Sequence, residues 1–424
     1  MTKKIHFSFA GGAAVSAVAA LAAAAGYEVS ACEKLDPKGS FFVGLRKSVV
    51  ACFDTEDVEH LNKVEILVVS AGTKRLDPGN LEVRYAKESG IEILTAEEFL
   101  TKRLLKDKFV VAIAGTNGKS TTTAMIGKIL EEAGLDPSVF VGAIVPEWGS
   151  NYRAGRSKYF VVEADEYLDK FLLYRPNVEV ITNIEYDHPD YFSDKEAVQK
   201  SFEKFAANLA KDGQIFLGPT VKLETNKQAQ HELQLKKLDL KIPGEFNEQN
   251  AALAFQTAVY LGVAEKVAQR TLERFGGAAR RFEFKGEAKG VKVFDDYAHH
   301  PTAVGVTLKA ASDKFPNSRI WCVFQMHTYT RLQAMFPEFV EAFSASGVDE
   351  KIFLPVFGSR EAAGEVSVEK LAREVKGAKF MKSQDEAATY ITKGASFGDV
   401  VLLMGAGDIV QMSALLLRKL KNKG

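Results

Sequence analysis

The sequence lacks the features that mark several large protein classes. Its three cysteines, Cys32, Cys52 and Cys322, form no CxxC pair among 424 residues, so it predicts neither a disulfide framework nor a zinc site. It has no excess of charge, because 55 basic residues balance 55 acidic ones. A neutral chain excludes the broad basic field of a non-specific nucleic-acid binder, although a local basic site for an anionic ligand stays possible. What remains is the composition of a soluble globular protein, with 46% hydrophobic and 26% charged residues.

An alanine-rich stretch over residues 13–25 admits two interpretations. With lysines before it and the lipoprotein-like Val29–Cys32 box after it, the stretch is similar to a secretory leader. Alternatively, a strand over 5–10, a glycine turn and an alanine-rich helix predict a Rossmann-like opening. The charge of Glu28 and an apolar run too short to span a bilayer favour the second interpretation. We therefore expect a cytoplasmic protein.

Strand-like and helix-like runs alternate along the whole chain, which predicts an α/β fold with mostly parallel, covered sheets. A length of 424 residues suggests roughly three domains. We place them at residues 1–102, a Rossmann-like domain, at 103–277, a phosphate-loop ATPase domain, and at 278–424, a second Rossmann-like domain. A capping-box pattern at Thr95–Glu98 predicts a helix start near the end of the first domain.

The strongest motif is a phosphate loop between a buried strand and a helix. Its residues are Gly115, Thr116, Asn117, Gly118, Lys119, Ser120 and Thr121. Backbone N–H groups at the helix start are expected to hold phosphate oxygens of ATP, with Lys119 reaching the β- and γ-phosphates. Ile113 stands where the general pattern has glycine, so this is a variant loop. The alternative is a glycine-rich turn with an incidental lysine.

Acidic residues follow two further buried strands of the same region. Glu163 ends the strand at 159–163, and His188 lies in the acidic segment after the strand at 178–184. Carboxyl ends of parallel strands line the ligand crevice, where nucleotide-bound Mg²⁺ is held. We expect Ser120, Glu163 and His188 to supply metal ligands, with two Mg²⁺ ions bound. Either acidic segment taken alone is equally well explained as a solvated helix cap.

A series of motifs in fixed order resembles one enzyme family. The motifs are GTNGKSTT, VVEADEY, TNIEYDHPDYF, IPGEFNEQNAALA, RRFE, DDYAHHPTAV, FQMHTYTR and GAGDI. Together they are similar to the three-domain Mur ligases of peptidoglycan synthesis, and DDYAHHPT with FQxHTYTR is typical of the muramate-binding branch. The resemblance implies a UDP-sugar domain, an ATPase domain and an amino-acid domain. It also implies an ATP-dependent amide ligase that joins L-alanine to UDP-N-acetylmuramate through an acyl phosphate.

The resemblance assigns nucleotide contacts outside the phosphate loop. Asn247 and Asn250, three residues apart on one helix face, correspond to adenine and ribose contacts. Arg281 corresponds to a contact with nucleotide phosphate, and Asp296 to a nucleotide or inter-domain contact. The alternatives are a helix N-cap and a buried polar helix residue for the two asparagines, and a surface salt bridge for Arg281.

The same resemblance assigns the reacting end to the third domain. His299, His327 and Arg331 are expected around the substrate carboxylates and the oxyanion of the tetrahedral intermediate. Tyr297 is expected to contact substrate. Lys119 and Mg²⁺ neutralise the phosphates, and the group that takes the amine proton is left open.

The first-domain turn departs from the family pattern. Gly11 and Gly12 are kept and are expected to bind the UDP-sugar, whereas Phe9 and Ala14 replace two glycines of the family. Asn117 in the phosphate loop is typical of sister ligases that add other amino acids.

Three alternatives remain open. One is a recycling ligase that adds a whole tripeptide to UDP-N-acetylmuramate, and another is a non-ligating ATP-binding regulatory homologue. The third, a small-molecule kinase, leaves the 295–331 cluster unexplained. In each case we expect no nucleic-acid partner and no membrane insertion, and a monomer or homodimer.

Overall fold

The computed structural model contains three β-sheets and confirms the predicted α/β class. The chain divides into two units: residues 1–184, 199–238 and 249–274 form the first, and residues 185–198, 239–248 and 275–424 form the second. The first two sheets lie in the first unit and the third sheet in the second. The structure describes residues 3–49, 51–76, 79–224, 230–358, 361, 364 and 366–423.

The first sheet is wholly parallel, with the strand order β3-β2-β1-β4-β5. This is the predicted Rossmann-like opening, in which the alanine-rich stretch forms the buried helix α1 and Thr95 forms both bonds of a capping box. The strands are β1 (Lys4–Phe7), β2 (Glu28–Cys32), β3 (Ala51–Phe53), β4 (Ile66–Val69) and β5 (Glu92–Thr95). The helices are α1 (Ala13–Ala24), α2 (Ser40–Leu45), α3 (Ala71–Leu76), α4 (Leu81–Glu88) and α5 (Ala96–Phe99), with a 3-10 turn at Val58–Leu61 and a π turn at Leu100–Leu104.

The second sheet has the order β12-β11-β10-β6-β9-β7-β8 and is parallel except for the β7–β8 pair. Its strands are β6 (Phe109–Ala114), β7 (Ser138–Val145), β8 (Ser150–Arg153), β9 (Tyr159–Glu163), β10 (Val178–Ile181), β11 (Gln214–Leu217) and β12 (Gln230–Glu232). The helices of this part of the chain are α6 (Lys119–Glu132), α7 (Lys195–Ala207), α8 (Glu245–Tyr260) and α9 (Glu265–Arg274), with a 3-10 segment at Tyr167–Leu173. Because β6 lies between β9 and β10, the residues after these three strands meet at one edge of the sheet.

The third sheet has the order β13-β14-β18-β15-β16-β17, with only β13 antiparallel to its neighbour. Its strands are β13 (Glu283–Ala288), β14 (Val291–Asp296), β15 (Ile320–His327), β16 (Glu350–Phe357), β17 (Ala378–Phe380) and β18 (Val400–Met404). The helices are α10 (Pro301–Lys314), α11 (Tyr329–Ala334), α12 (Phe336–Ser344), α13 (Val368–Glu374), α14 (Gln384–Gly394) and α15 (Met412–Lys421), with a 3-10 turn at Asp408–Gln411.

Alternating residues of the third sheet fill two separate cores. Cys322 and Phe324 of β15 pack in one core, while Trp321 and Val323 of the same strand pack in the other. The period-2 alternation of a strand sends its side chains to both faces, and helices cover each face. Packing on both faces holds each strand in place, so the polar residues that follow the strands have fixed positions. Among the described residues, no helix has both the length and the apolar character needed to cross a membrane.

Candidate active site

The phosphate loop leaves the carboxyl end of β6 through backbone that only glycine tolerates. Gly115 has φ of 134°, and a Cβ atom there would lie 2.0 Å from the Thr182 hydroxyl. Gly118 has φ of 86°, and a Cβ atom there would lie 2.5 Å from Oδ1 of Asn250. The two glycines therefore permit the close approach of β10 on one side and α8 on the other.

Two residues that sequence reasoning did not single out hold the loop from β10. The Asn117 N–H donates to Asn183 Oδ1 (2.9 Å), and the Asn183 amide donates back to the Asn117 carbonyl (2.9 Å). The Thr182 hydroxyl donates to the same carbonyl at 2.5 Å. Both residues could have been found from their position directly after a strand that neighbours β6.

Lys119 begins α6 and is anchored by the loop itself. Its ammonium donates to the carbonyls of Gly115 (2.5 Å) and Thr116 (3.1 Å), and it forms a salt bridge with Glu166 (2.8 Å). Burial opposes its charge, but Glu166 and the carboxylates near it outweigh burial and raise the pKa of Lys119. A fixed cation therefore lies beside the loop N–H groups, where nucleotide phosphates bind in such loops. Glu166 lies in the VVEADEY motif, but the sequence alone does not indicate this role for it.

Ser120 and Glu163, two of the predicted metal ligands, are in contact. The Ser120 hydroxyl donates to Glu163 Oε1 at 3.0 Å, and Glu163 Oε2 accepts from the Gly142 N–H at 2.6 Å. These are hard oxygen donors at the carboxyl end of adjacent strands, and they fit the ligand chemistry of Mg²⁺. His188, the third predicted ligand, belongs to the second unit and has a left-handed backbone with φ of 55°.

The first-domain turn carries an unexpected acid. Gly11 and Gly12 lie between β1 and α1 as predicted, and the Gly11 N–H donates to the Glu33 carboxylate at 2.7 Å. Phe9 adopts φ of 54°, a conformation that favours glycine, so a bulky side chain occupies strained backbone there. A Cβ atom at Gly12 would meet nothing within 4 Å.

Asn247 and Asn250 have different surroundings although they share helix α8. Both side chains are buried. Asn247 lies in the first turn of the helix, and its side-chain amide donates to the Pro243 carbonyl at 2.7 Å. Asn250 approaches Gly118 of the phosphate loop. The roles in adenine and ribose binding remain predictions.

In the second unit, the three polar residues predicted to surround the reacting centre lie together. The rings of His299 and His327 are 5.8 Å apart, edge to face. The Arg331 guanidinium donates to the His327 carbonyl (3.0 Å) and lies 3.2 Å from His327 Nδ1. His299 follows β14 and His327 ends β15, so the topology of the third sheet produces this cluster.

Asp187, which was given no role from sequence, completes the cluster. Its carboxylate pairs with Arg331 Nε at 2.9 Å, and both side chains are nearly inaccessible to solvent. Burial opposes the charge of Asp187, but the adjacent Arg331 guanidinium holds the pKa of this carboxyl far below its usual range. Burial lowers the pKa of both imidazoles and Arg331 lowers it further, to about 4 for His327 and well below the ordinary value for His299. Both histidines are therefore neutral at pH 7.

Asp296 and Tyr297 organise the turn after β14. Asp296 accepts from the N–H groups of Phe282 (2.7 Å) and Ala298 (2.8 Å), and its burial raises the pKa of the carboxyl despite nearby Arg281. The guanidinium of Arg281 lies 5.0 Å from the centre of the Tyr297 ring. Asp296 thus has a structural role in this turn, and the predicted ligand contacts of Asp296, Tyr297 and Arg281 stay predictions.

Three parallel-rich sheets and a phosphate loop define a phosphate-loop α/β protein. Two family models match the chain, the Mur ligase middle domain over residues 113–233 and the Mur ligase glutamate ligase domain over residues 280–407. The UDP-N-acetylmuramate–L-alanine ligase of Clostridium kluyveri is 34% identical, with 98% of each chain covered. The chain belongs to the Mur ligase family.

Solved structures show the same fold. The UDP-N-acetylmuramate–alanine ligase of Thermotoga maritima superposes with a TM-score of 0.83 over 99% of this chain and all of that one, at 24% identity. A murein peptide ligase of Psychrobacter arcticus gives a TM-score of 0.74 over 99% of each chain, also at 24% identity. At this identity the likeness establishes the three-domain architecture.

Proposed function

We propose that this chain uses ATP to join L-alanine to UDP-N-acetylmuramate, forming an amide and releasing ADP and phosphate. The observation that carries the proposal is the full-length match, at 34% identity, to a ligase named for this reaction. The geometry supports it in both units. A charged lysine lies at a phosphate loop in one, and a buried cluster of histidines and an arginine lies in the other. Since the reaction consumes ATP and the cysteines are free thiols, we place it in the cytoplasm.

The first step transfers the γ-phosphoryl group of ATP to a carboxylate oxygen of the muramate, and ADP leaves. This step needs alignment and charge neutralisation more than covalent help from the protein. Backbone N–H groups at the start of α6 would bind the phosphates, and Lys119 would move from the loop carbonyls to the β/γ-phosphate oxygens. Thr182 and Asn183 hold the loop in place for this exchange.

Ser120 and Glu163 would hold Mg²⁺, and a role for His188 as a further ligand stays a prediction from sequence. When bound, the ion would offset the negative charge that develops on the phosphate oxygens during the transfer. Glu163 is kept in position by the Gly142 N–H, so its carboxylate is oriented before any ion binds.

The second step is attack of the alanine amine on the acyl-phosphate carbon, followed by loss of phosphate. Arg331 uses Nε for Asp187 and Nη1 for the His327 carbonyl. We assign Nη2 of Arg331 to the alanine carboxylate. The neutral imidazoles of His299 and His327 are suited to hydrogen bonding at the tetrahedral oxyanion or to accepting the amine proton.

An amino-acid panel tests the proposal. The full-length protein is given ATP, Mg²⁺ and UDP-N-acetylmuramate with L-alanine, glycine, L-serine or a muropeptide tripeptide, and ADP release and product mass are measured. We expect ADP release to require both substrates and to be fastest with L-alanine. UDP-N-acetylglucosamine is the matched acceptor control, because it has the same nucleotide but no lactyl carboxylate to phosphorylate.

Two results would contradict the proposal. Preference for the tripeptide would make the chain a recycling ligase. ATP turnover that is indifferent to both substrates would instead favour a regulatory homologue.

A further inference from the structure

Four potential metal ligands converge inside the first sheet, away from the phosphate loop. His6 lies in β1, Cys32 at the end of β2, His60 in the 3-10 turn at residues 58–61 and Glu82 in α4. One ligand atom from each lies within 4.8 Å of all the others. His6, Cys32 and Glu82 are buried, and His60 has only 9% of its side chain exposed.

The distances from Glu82 to the other three residues match those between neighbouring ligands of an ion. Glu82 Oε1 lies 3.2 Å from His60 Nδ1, 3.4 Å from Cys32 Sγ and 3.5 Å from His6 Nε2. Zinc bonds of about 2.0–2.3 Å place neighbouring ligands of a tetrahedron about 3.3–3.8 Å apart. Charge-assisted hydrogen bonds from imidazolium to carboxylate are shorter, about 2.7–2.9 Å. The Asp57 N–H also donates to Glu82 Oε1, at 3.2 Å, and holds the orientation of this carboxylate.

Each of the two histidine rings makes a further contact that holds the ring in its orientation toward the group. His6 Nδ1 lies 2.8 Å from the Ser30 hydroxyl, which leaves Nε2 directed at the group. In the described part of the chain this buried Nε2 has no hydrogen-bond partner. The His60 ring stacks on Phe53 at 4.0 Å, with 11° between the planes. A hydrogen bond on the far nitrogen is the usual way a protein fixes the tautomer of a zinc-binding histidine.

We propose that His6, Cys32, His60 and Glu82 form a structural zinc site. Four protein ligands close a tetrahedron and leave no position for substrate, so the ion would stabilise the fold rather than catalyse. Binding converts the Cys32 thiol to a zinc-bound thiolate and releases its proton to solvent. The thiolate and the Glu82 carboxylate together neutralise the charge of the ion, which makes burial of the site favourable.

A zinc site here differs from the expectation that we drew from the spacing of the cysteines. One cysteine and three ligands from separate elements give no local spacing pattern for a sequence to reveal.

The site is also connected to the neighbouring glycine turn. The Cys32 carbonyl accepts from the Ala10 N–H, and the next residue, Glu33, binds the Gly11 N–H. An ion at Cys32 would therefore fix the position of the glycine turn of the first domain.

Cobalt substitution of the full-length, untagged protein tests the site. After removal of bound metal under reducing conditions, Co²⁺ is added and the absorption spectrum is recorded. We expect one equivalent to give the visible bands of tetrahedral cobalt and a near-ultraviolet thiolate band, both displaced by Zn²⁺. Cys32→Ser should lose the thiolate band, whereas Cys322→Ser, a matched change at another buried cysteine, should keep it.

A second measurement covers the case in which Cys32→Ser fails to fold. His60→Gln changes the ligand at the edge of the group, and its unfolding midpoint should no longer rise when Zn²⁺ is added. The wild-type midpoint should rise by several degrees. The proposal is overturned if the wild type gives no thiolate band, if the band survives in Cys32→Ser, or if zinc leaves the wild-type midpoint unchanged.

Discussion

Two turns in the first unit have the same topology and opposite chemistry. The turn after β1 opens α1, and the phosphate loop after β6 opens α6, each at the carboxyl end of a strand inside a parallel sheet. In the phosphate loop a cation, Lys119, lies on the loop and is held by Glu166. In the first turn no basic residue occurs between residues 9 and 24, and the Glu33 carboxylate already accepts from the Gly11 N–H.

This difference shows that a glycine-rich turn does not by itself define an anion site. The phosphate loop is held tightly, since Gly115 has no room for a side chain and its backbone is left-handed. The first turn is open at Gly12, and Phe9 accepts the strained conformation without being glycine. The loop is built around close backbone contacts, whereas in the first turn the Glu33 carboxylate occupies the Gly11 N–H that the predicted UDP-sugar site would offer to a diphosphate.

Removal of the lysine should give the largest effect. Lys119→Ala leaves the loop N–H groups in place but removes the charge beside them, so we expect ADP release to fall by about 100- to 1000-fold. Circular dichroism should show an unchanged fold. Lys128→Ala, on the same helix and paired with Glu131 at its surface, is the control and should keep near-normal turnover. Retained activity in Lys119→Ala would mean that the loop does not hold the reacting phosphates.

Paired glycine substitutions test the packing difference directly. Gly115→Ala places a Cβ atom against Thr182 in left-handed backbone and should destabilise the protein by about 2–4 kcal/mol. Gly12→Ala occupies open space at φ of −79° and should change stability by less than about 1 kcal/mol. Urea unfolding of both variants provides the measurement. Equal losses in the two variants would remove the distinction between a packed and an open turn.

The sequence predicted the parts of the site that are local. The phosphate loop, the strand that ends in Glu163 and the buried helix α1 each follow from a continuous pattern, and the structure has them in those places. Thr182, Asn183 and Asp187 act through partners 65 to 144 residues away. No local period or spacing encodes such pairs, so only the folded sheet order reveals them. The Glu33–Gly11 bond escaped prediction for the same reason.

Removal of the Thr182 hydroxyl should moderately weaken the binding of ATP at the phosphate loop. Thr182→Val keeps the shape of the side chain but removes the bonds to the Asn117 and Ala114 carbonyls. Leaving a buried carbonyl with fewer donors costs about 1–2 kcal/mol. We expect KM for ATP to rise about 5- to 30-fold, with KM for UDP-N-acetylmuramate unchanged. Thr182→Ser retains the hydroxyl and should behave nearly as the wild type; an equal defect in both variants would place the cause in packing rather than in the hydrogen bonds.

Neutralising Glu33 should give the smallest change, and it should strengthen substrate binding rather than weaken it. In Glu33→Gln the amide can still accept from the Leu35 N–H, but it carries no charge and frees the Gly11 N–H for a phosphate oxygen. Removing a like charge next to a bound diphosphate is worth about 1 kcal/mol, so KM for UDP-N-acetylmuramate should fall about fivefold, most clearly at low ionic strength. Glu28→Gln, an exposed carboxylate at the far end of β2, controls for net charge. If KM rises instead, Glu33 is a ligand of the UDP-sugar, and the carboxylate helps the first turn to bind its substrate in the way that Lys119 helps the phosphate loop.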